Sequence, residues 1–146
     1  MFTKAFDSFV CEGDTITCEA EGFDIVAHIV RDDSTDRPDE RDDSFWPSEC
    51  PNDAGYIGEN PAKPYDVQTK EAQAILDAWE NDEWFYCGIV LSVAKNGVML
   101  DEHAASLWGI ECNYPNGSKN AYLMEVANEL LSEAIEAGKN TLKKLI

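Results

Sequence analysis

Seven carboxylates fall within residues 31–43, which we call the acidic tract. They are Asp32, Asp33, Asp36, Asp39, Glu40, Asp42 and Asp43, and three arginines, Arg31, Arg37 and Arg41, are interspersed among them. Carboxylates at this density can imitate the phosphates of a nucleic acid, hold a cation, or simply form a charged loop in water. The sequence alone leaves these three interpretations open.

The cation interpretation has a partial pattern behind it. Counted from Asp32, the carboxylates of Asp36, Glu40 and Asp43 fall at positions five, nine and twelve of a calcium loop. Position six is Arg37, where such loops have glycine, and position twelve is an aspartate, where they have glutamate. A calcium-binding module is therefore kept as an alternative. In the interpretation that we prefer, the protein binds no metal.

A second acidic pattern lies near the C-terminus, where Glu125, Glu129 and Glu133 recur at i, i+4 and i+8. On a helix these side chains share one face, about 6 Å apart along the axis, whereas a DNA strand has a phosphate every ~3.4 Å. Like charges at this spacing cost a helix roughly 0.2–0.5 kcal/mol per pair. The pattern indicates either a solvated helix face or a rigid row of phosphate surrogates that fits a basic groove on another protein.

Two aromatic residues, Phe45 and Trp46, follow the acidic tract directly. An aromatic side chain beside carboxylates is typical of an interface hot spot, and equally of a loop anchor buried on the sheet. We include Trp46 with the acidic tract and the three glutamates among the candidate partner-binding residues.

Catalysis has one candidate pair, Asp101 and His103, which point to the same side if they lie on a strand. Ser106, Cys87 and Cys112 are conceivable nucleophiles. The sequence contains no nucleophile elbow, phosphate loop, zinc-protease motif or dinucleotide fingerprint. A small enzyme that uses His103 with Asp101 is therefore a second alternative, and we expect no enzymatic activity and no cofactor.

Charge excludes several classes of partner. The 146 residues include 29 Asp and Glu against 11 Lys and Arg, which gives a formal net charge of -18 at pH 7. Direct binding to nucleic acid or to an anionic membrane relies on Lys and Arg, so neither is expected. The field of clustered charge extends about 8 Å at physiological salt and accelerates association with an oppositely charged partner. A basic protein is the partner that this charge favours.

Period-two alternation predicts an N-terminal hairpin over 15–20 and 23–30, which turns at Glu21-Gly22. Its predicted core residues on the second strand are Phe23, Ile25, Ala27 and Ile29. Further strands are predicted over 84–93, 98–102 and 105–111, with a two-residue turn at Asn96-Gly97 and a bulge near His103.

Two helices are predicted. The first covers 70–80 with Thr69 as its N-cap, and the second covers 120–145 with an interruption at Gly138. The fold class is therefore α+β, with an antiparallel sheet of about four to five strands and helices packed on one face. We expect a single domain over 1–146, in which 32–64 forms a long, acidic, proline-rich loop.

The C-terminal half contains two distinctive sequence motifs. Residues 103–111 are His-Ala-Ala-Ser-Leu-Trp-Gly-Ile-Glu, and 122–130 are Tyr-Leu-Met-Glu-Val-Ala-Asn-Glu-Leu. In these stretches, and in Asn-Asp-Glu-Trp at 81–84, the chain resembles a group of small acidic proteins carried by bacteriophages and plasmids. The resemblance implies a mobile-element context and carries over no catalytic residue.

Five cysteines, odd in number and without a C-x-x-C pair, indicate reduced thiols and a cytoplasmic protein. They are Cys11, Cys18, Cys50, Cys87 and Cys112. The N-terminus has no secretory pattern, and no window approaches the roughly 20 apolar residues of a membrane span. Together the observations favour a non-enzymatic protein that blocks a basic nucleic-acid-binding protein, such as a component of host defence.

Overall fold

The computed structural model describes residues 1–41 and 45–145. Its elements follow in the order β1 (Thr15–Ala20), β2 (Phe23–Arg31), α1 (Tyr65–Glu80), β3 (Phe85–Lys95), β4 (Val98–Cys112) and α2 (Ala121–Leu145). The strands form one antiparallel sheet in the order β1-β2-β3-β4. The predicted α+β class with an antiparallel sheet is confirmed.

The chain divides into two compact units. We call Met1–Asp33 with Phe85–Ile146 the sheet unit, and Ser34–Trp84 the acidic unit. Most of the loop predicted over 32–64 falls within the acidic unit. There an isolated parallel bridge joins Ser48 to Tyr56 ahead of α1.

The first hairpin follows the predicted pattern. Glu21 and Gly22 turn the chain at φ of 49° and 81°, and β1 pairs with β2 from Thr15 opposite His28 to Ala20 opposite Phe23. The four predicted core residues are buried: Phe23, Ile25, Ala27 and Ile29. Residues between them point to the opposite face of the sheet.

The second hairpin turns at Asn96 and Gly97, whose φ values of 52° and 79° fit the predicted turn. The two strands predicted after it are one continuous strand, β4. The predicted bulge near His103 is confirmed, because Leu91 pairs with Ala105 while Val93 pairs with Asp101. A second register shift, between Cys87 and Ile89, was not predicted.

Helix α2 packs on β4, β3 and β2. Its buried residues repeat at helical spacing: Leu123, Ala127, Ala134, Ile135 and Gly138. The predicted interruption at Gly138 is wrong, because the helix continues to Leu145. A Cβ at Gly138 would lie 3.0 Å from Val93 Cγ2, so the missing side chain lets the helix approach the sheet closely.

Two asparagines fasten the N-terminal segment, for which the sequence predicted no structure. Asn128 accepts a hydrogen bond from the Phe2 N–H at 2.7 Å and donates one to the Phe2 carbonyl at 3.2 Å. Asn113 bonds the N–H and the carbonyl of Val10 in the same way. Phe2, Phe6 and Val10 are consequently held in the core.

Cys87 and Cys112 form a disulfide between β3 and β4, and both residues are fully buried. The prediction that all five cysteines are reduced is therefore wrong for this pair. Pairing of Phe85 with Cys112 and of Cys87 with Ile110 places the two cysteines diagonally across adjacent strands. The other three, Cys11, Cys18 and Cys50, are free thiols.

In the acidic unit, α1 begins four residues before the predicted Thr69 cap. Pro64 precedes its first turn, and the Thr69 hydroxyl instead donates to the Tyr65 carbonyl at 2.8 Å. Ala72 and Leu76 are buried on the helix, and the indole N–H of Trp84 donates to the Ile75 carbonyl at 2.9 Å. This bond holds the segment after α1 against the helix.

Candidate partner-binding surface

The three predicted glutamates of α2 lie on the side of the helix away from the sheet. Glu125, Glu129 and Glu133 are exposed, and so is Glu136. Because the opposite side of α2 is buried in the core, the helix cannot rotate, and the carboxylates form a row with a rise of about 6 Å per step. We call Glu125, Glu129 and Glu133 the glutamate row.

No residue within 1–41 or 45–145 forms an ion pair with the glutamate row. The basic residues of α2 lie beyond the row. Lys139 bonds Glu21 at 3.1 Å, while Lys143 and Lys144 occupy the last turn. Within the described residues no basic side chain therefore pairs with the row, and the lysines of α2 all follow it along the helix.

The first carboxylate of the acidic tract, Asp32, is buried although its charge suggested an exposed position. Asp32 is only 8% exposed. Its N–H donates to the Tyr86 carbonyl at 2.9 Å, and its carboxylate accepts the Gly109 N–H at 3.0 Å. Asp32 thus joins β2, β3 and β4 and does not contribute to an exposed acidic surface.

Arginines neutralise part of the remaining tract. Asp33 is exposed and bonds Arg31 at 3.1 Å. In the acidic unit, Arg37 contacts Asp39 at 3.3 Å and Glu40 at 3.9 Å.

Arg37 also bonds a carboxylate outside the tract, Glu80 at 2.6 Å, and lies over the Trp79 ring. The hydrogen bond to Glu80, with the charges of Asp39 and Glu80, raises the pKa of Arg37. Asp36 is exposed, and Asp42 and Asp43 lie outside the described residues.

Trp46 is half-buried in the acidic unit. Its ring meets Phe45 edge to face, with centroids 5.4 Å apart and planes at 83°. Its carbonyl oxygen occupies the space that a side chain at Gly55 would need. These contacts are those of a loop anchor that still leaves part of the indole accessible.

Those residues of the calcium alternative that the structure describes are not gathered into a site. Asp32 is turned toward Gly109, and Asp43 lies outside the described residues. Within the described part of the chain, no group of three or more His, Cys, Asp or Glu side chains is placed to hold a metal ion.

The two histidines, His103 and His28, lie in different surroundings. The Asp101 carboxylate accepts the backbone N–H of His103 at 2.9 Å, a local contact that serves the bulge. His28 is hydrogen bonded through Nε2 to Ser92 Oγ at 3.1 Å. Burial, and then the charge of His103, lowers the pKa of His28. Since Ser92 is 3% exposed, its hydroxyl is closed to a substrate.

A cavity of about 260 Å³ lies in the sheet unit where the N-terminal segment passes β1. Its polar lining includes Lys4, Asp7 and Asp14, and residues 15–17 of β1 also line it. Among these residues the sequence singled out none as functional.

Charge is concentrated in the smaller unit. The acidic unit has 14 acidic and 4 basic residues among 51, a net charge of -10, and the sheet unit has 15 and 7 among 95, a net charge of -8. Each unit on its own is therefore repelled by phosphate and attracted to a basic surface.

Comparison of the chain with family models, curated proteins and solved structures finds no match. Within the described residues, no helix is both long and apolar enough to cross a membrane. The functional argument consequently rests on the geometry and charge described above.

Proposed function

We propose that this is a non-enzymatic acidic interaction protein of mobile-element origin, which inhibits a basic nucleic-acid-binding protein of host defence. Its carboxylates occupy the partner's phosphate-binding positions in place of DNA. The observation that carries this proposal is the glutamate row, which is exposed, free of ion pairs among the described residues, and fixed by the burial of the opposite side of α2.

The glutamate row can replace phosphates because its carboxylates are held at fixed spacing on a rigid helix. A DNA-binding groove fits charges at defined spacing, and a helix docked on a sheet loses little conformational entropy when it is bound. The exposed carboxylates of the acidic tract add long-range attraction, although the arginines of the tract offset part of it. We therefore assign the glutamate row to contact, and Asp33, Asp36, Asp39 and Glu40 to steering, with Trp46 as an accessory anchor.

The decisive experiment is capture of the partner from a host lysate at several salt concentrations, with duplex DNA as competitor. We expect the captured protein to bind DNA, to be displaced by DNA, and to bind less tightly as salt rises. Neutralising the row as E125Q/E129Q/E133Q should lower the slope of log affinity against log salt by about one per contacting charge.

A matched control removes three charges elsewhere in the sheet unit. Asp7, Asp24 and Glu102 are exposed and form no ion pair within the described residues, so D7N/D24N/E102Q equalises the net charge without touching α2. Equal losses of affinity in the two triple variants would show that only net charge matters and would overturn the assignment to the row.

The two alternatives have less support. A calcium module predicts a rise in melting temperature with Ca²⁺ that is lost in D36N. An enzyme that uses His103 predicts loss of function in H103A with the fold intact. The Asp32 and Asp101 carboxylates, on which these alternatives depend, are both bonded to backbone N–H groups.

A further inference from the structure

Trp108 on β4 is 44% exposed and is seated flat on the neighbouring strand. A Cβ built on Gly88 would lie 2.2 Å from Cε3 of the indole and 2.6 Å from each of its bonded neighbours, Cδ2 and Cζ3. These distances belong to a point directly above Cε3, so one face of the ring lies on the β3 backbone. Only glycine leaves room for this arrangement.

The second register shift of the sheet creates this seat. Cys87 pairs with Ile110 and Ile89 pairs with Leu107, so Trp108 and Gly109 together oppose Gly88. Gly109 has φ of 73°, a left-handed conformation that glycine adopts without strain. The Trp108 N–H donates to Ser106 Oγ at 3.1 Å, which fixes the ring in its plane. The ring is therefore already ordered before any partner arrives.

One carboxylate lies beside the ring. Asp32 accepts the N–H of the next residue, Gly109, at 3.0 Å, while the neighbouring Asp33 is paired with Arg31 at 3.1 Å. In the described part of the chain, other rings do have a cation over them, such as Arg31 over Phe85, Arg37 over Trp79 and Lys95 over Phe23. Among the described residues no cation lies over Trp108.

We propose that the exposed face of Trp108 receives an arginine side chain of the basic partner, whose guanidinium stacks on the indole. Tryptophan is the strongest cation–π acceptor, and arginine stacks on it more often than lysine does. A nucleobase would also stack, but the net charge of -18 repels its phosphates. The inference rests on the proposed function, for which it names the specific contact.

The test uses two peptides, nona-arginine and nona-lysine, and measures their dissociation constants by calorimetry at two salt concentrations. We expect the protein to prefer nona-arginine by about two- to fivefold, as cation–π contacts at exposed sites allow. W108A should reduce the preference to the part that guanidinium–carboxylate pairs contribute, and should keep the salt dependence. S106A, which removes the acceptor of the indole N–H, and W108F, which keeps a weaker aromatic face, should each reduce the preference.

The glutamate-row variant E125Q/E129Q/E133Q separates this inference from the proposed function. It should weaken binding of both peptides and leave the arginine preference intact. If W108A keeps the full wild-type preference for nona-arginine over nona-lysine, the arginine contact is refuted while the role of the row stands. If the row variant binds the peptides as tightly as the wild type, the proposed function fails. The arginine preference of W108A then still decides whether Trp108 makes the proposed contact.

Two further outcomes bear on Trp108 alone. A single-stranded oligonucleotide bound through Trp108 would identify base stacking and overturn the arginine assignment. Circular dichroism checks that W108A is folded. If W108A is unfolded, the peptide preference is measured in S106A and W108F instead. An arginine preference that is unchanged in both variants overturns the inference.

Discussion

His28 shows at the scale of one residue how burial couples charge to stability. Its Nε2 bonds the buried Ser92, and both burial and the charge of His103 favour the neutral imidazole. The pKa of His28 in the folded chain is therefore lower than in the unfolded chain, where it is about 6.5. The unfolded state binds the proton more readily, so the stabilisation is complete above pH 6.5 and is lost as the pH falls below it.

The variant H28Q isolates this contribution. We expect the difference in melting temperature between wild type and H28Q to shrink as the pH is lowered from about 7.5 to 5.5, because only the wild type takes up a proton at this position on unfolding. Thermal melts followed by circular dichroism measure it. A difference that is the same at every pH would contradict this account of His28.

At the scale of elements, the disulfide joins β3 and β4 close to the segment that leads into α2. It closes a loop with a sequence separation of 25, for which the chain-entropy model gives a stabilisation of about 3–4 kcal/mol. We expect reduction to lower the free energy of unfolding by that amount in urea titrations with and without reductant. Removing the exposed free thiols in C11S/C50S should leave the difference between oxidised and reduced protein unchanged.

Thiol counting provides an independent check on the same bond. Alkylation of the unfolded, unreduced chain should modify three cysteines, Cys11, Cys18 and Cys50, and reduction should make all five reactive. Five modified residues without reductant would show that Cys87 and Cys112 are not bonded.

At the scale of the whole molecule, the net charge of -18 opposes folding through self-repulsion. Screening by salt relieves this repulsion, since the Debye length shortens from about 30 Å at 0.01 M to about 8 Å at 0.15 M. If screening lowers the free energy of this repulsion by about 1 kcal/mol, we expect the melting temperature to rise by about 2–4 °C between 0.01 M and 0.15 M salt. The gain should be smaller in E125Q/E129Q/E133Q, and a melting temperature that falls with added salt would contradict the expectation.

The local pattern of the chain was sufficient to predict most of the sheet and α2. Alternation at Phe23, Ile25, Ala27 and Ile29, and the turn at Asn96-Gly97, depend on neighbouring residues only, so they can be recognised without knowledge of distant contacts. The exposure of Glu125, Glu129 and Glu133 follows from the same helical period that buries Leu123 and Ala127.

Tertiary structure alone decided the features that depend on residues far apart in sequence. Asp32 belongs to an acidic run, yet it is buried because Gly109, 77 positions away, offers it an N–H. Trp108 becomes a flat platform because a bulge places it opposite Gly88, and Cys87 meets Cys112 only when β3 and β4 pair. Periodicity records which face a residue occupies, whereas the partner on that face is set by strand register, which no local pattern encodes.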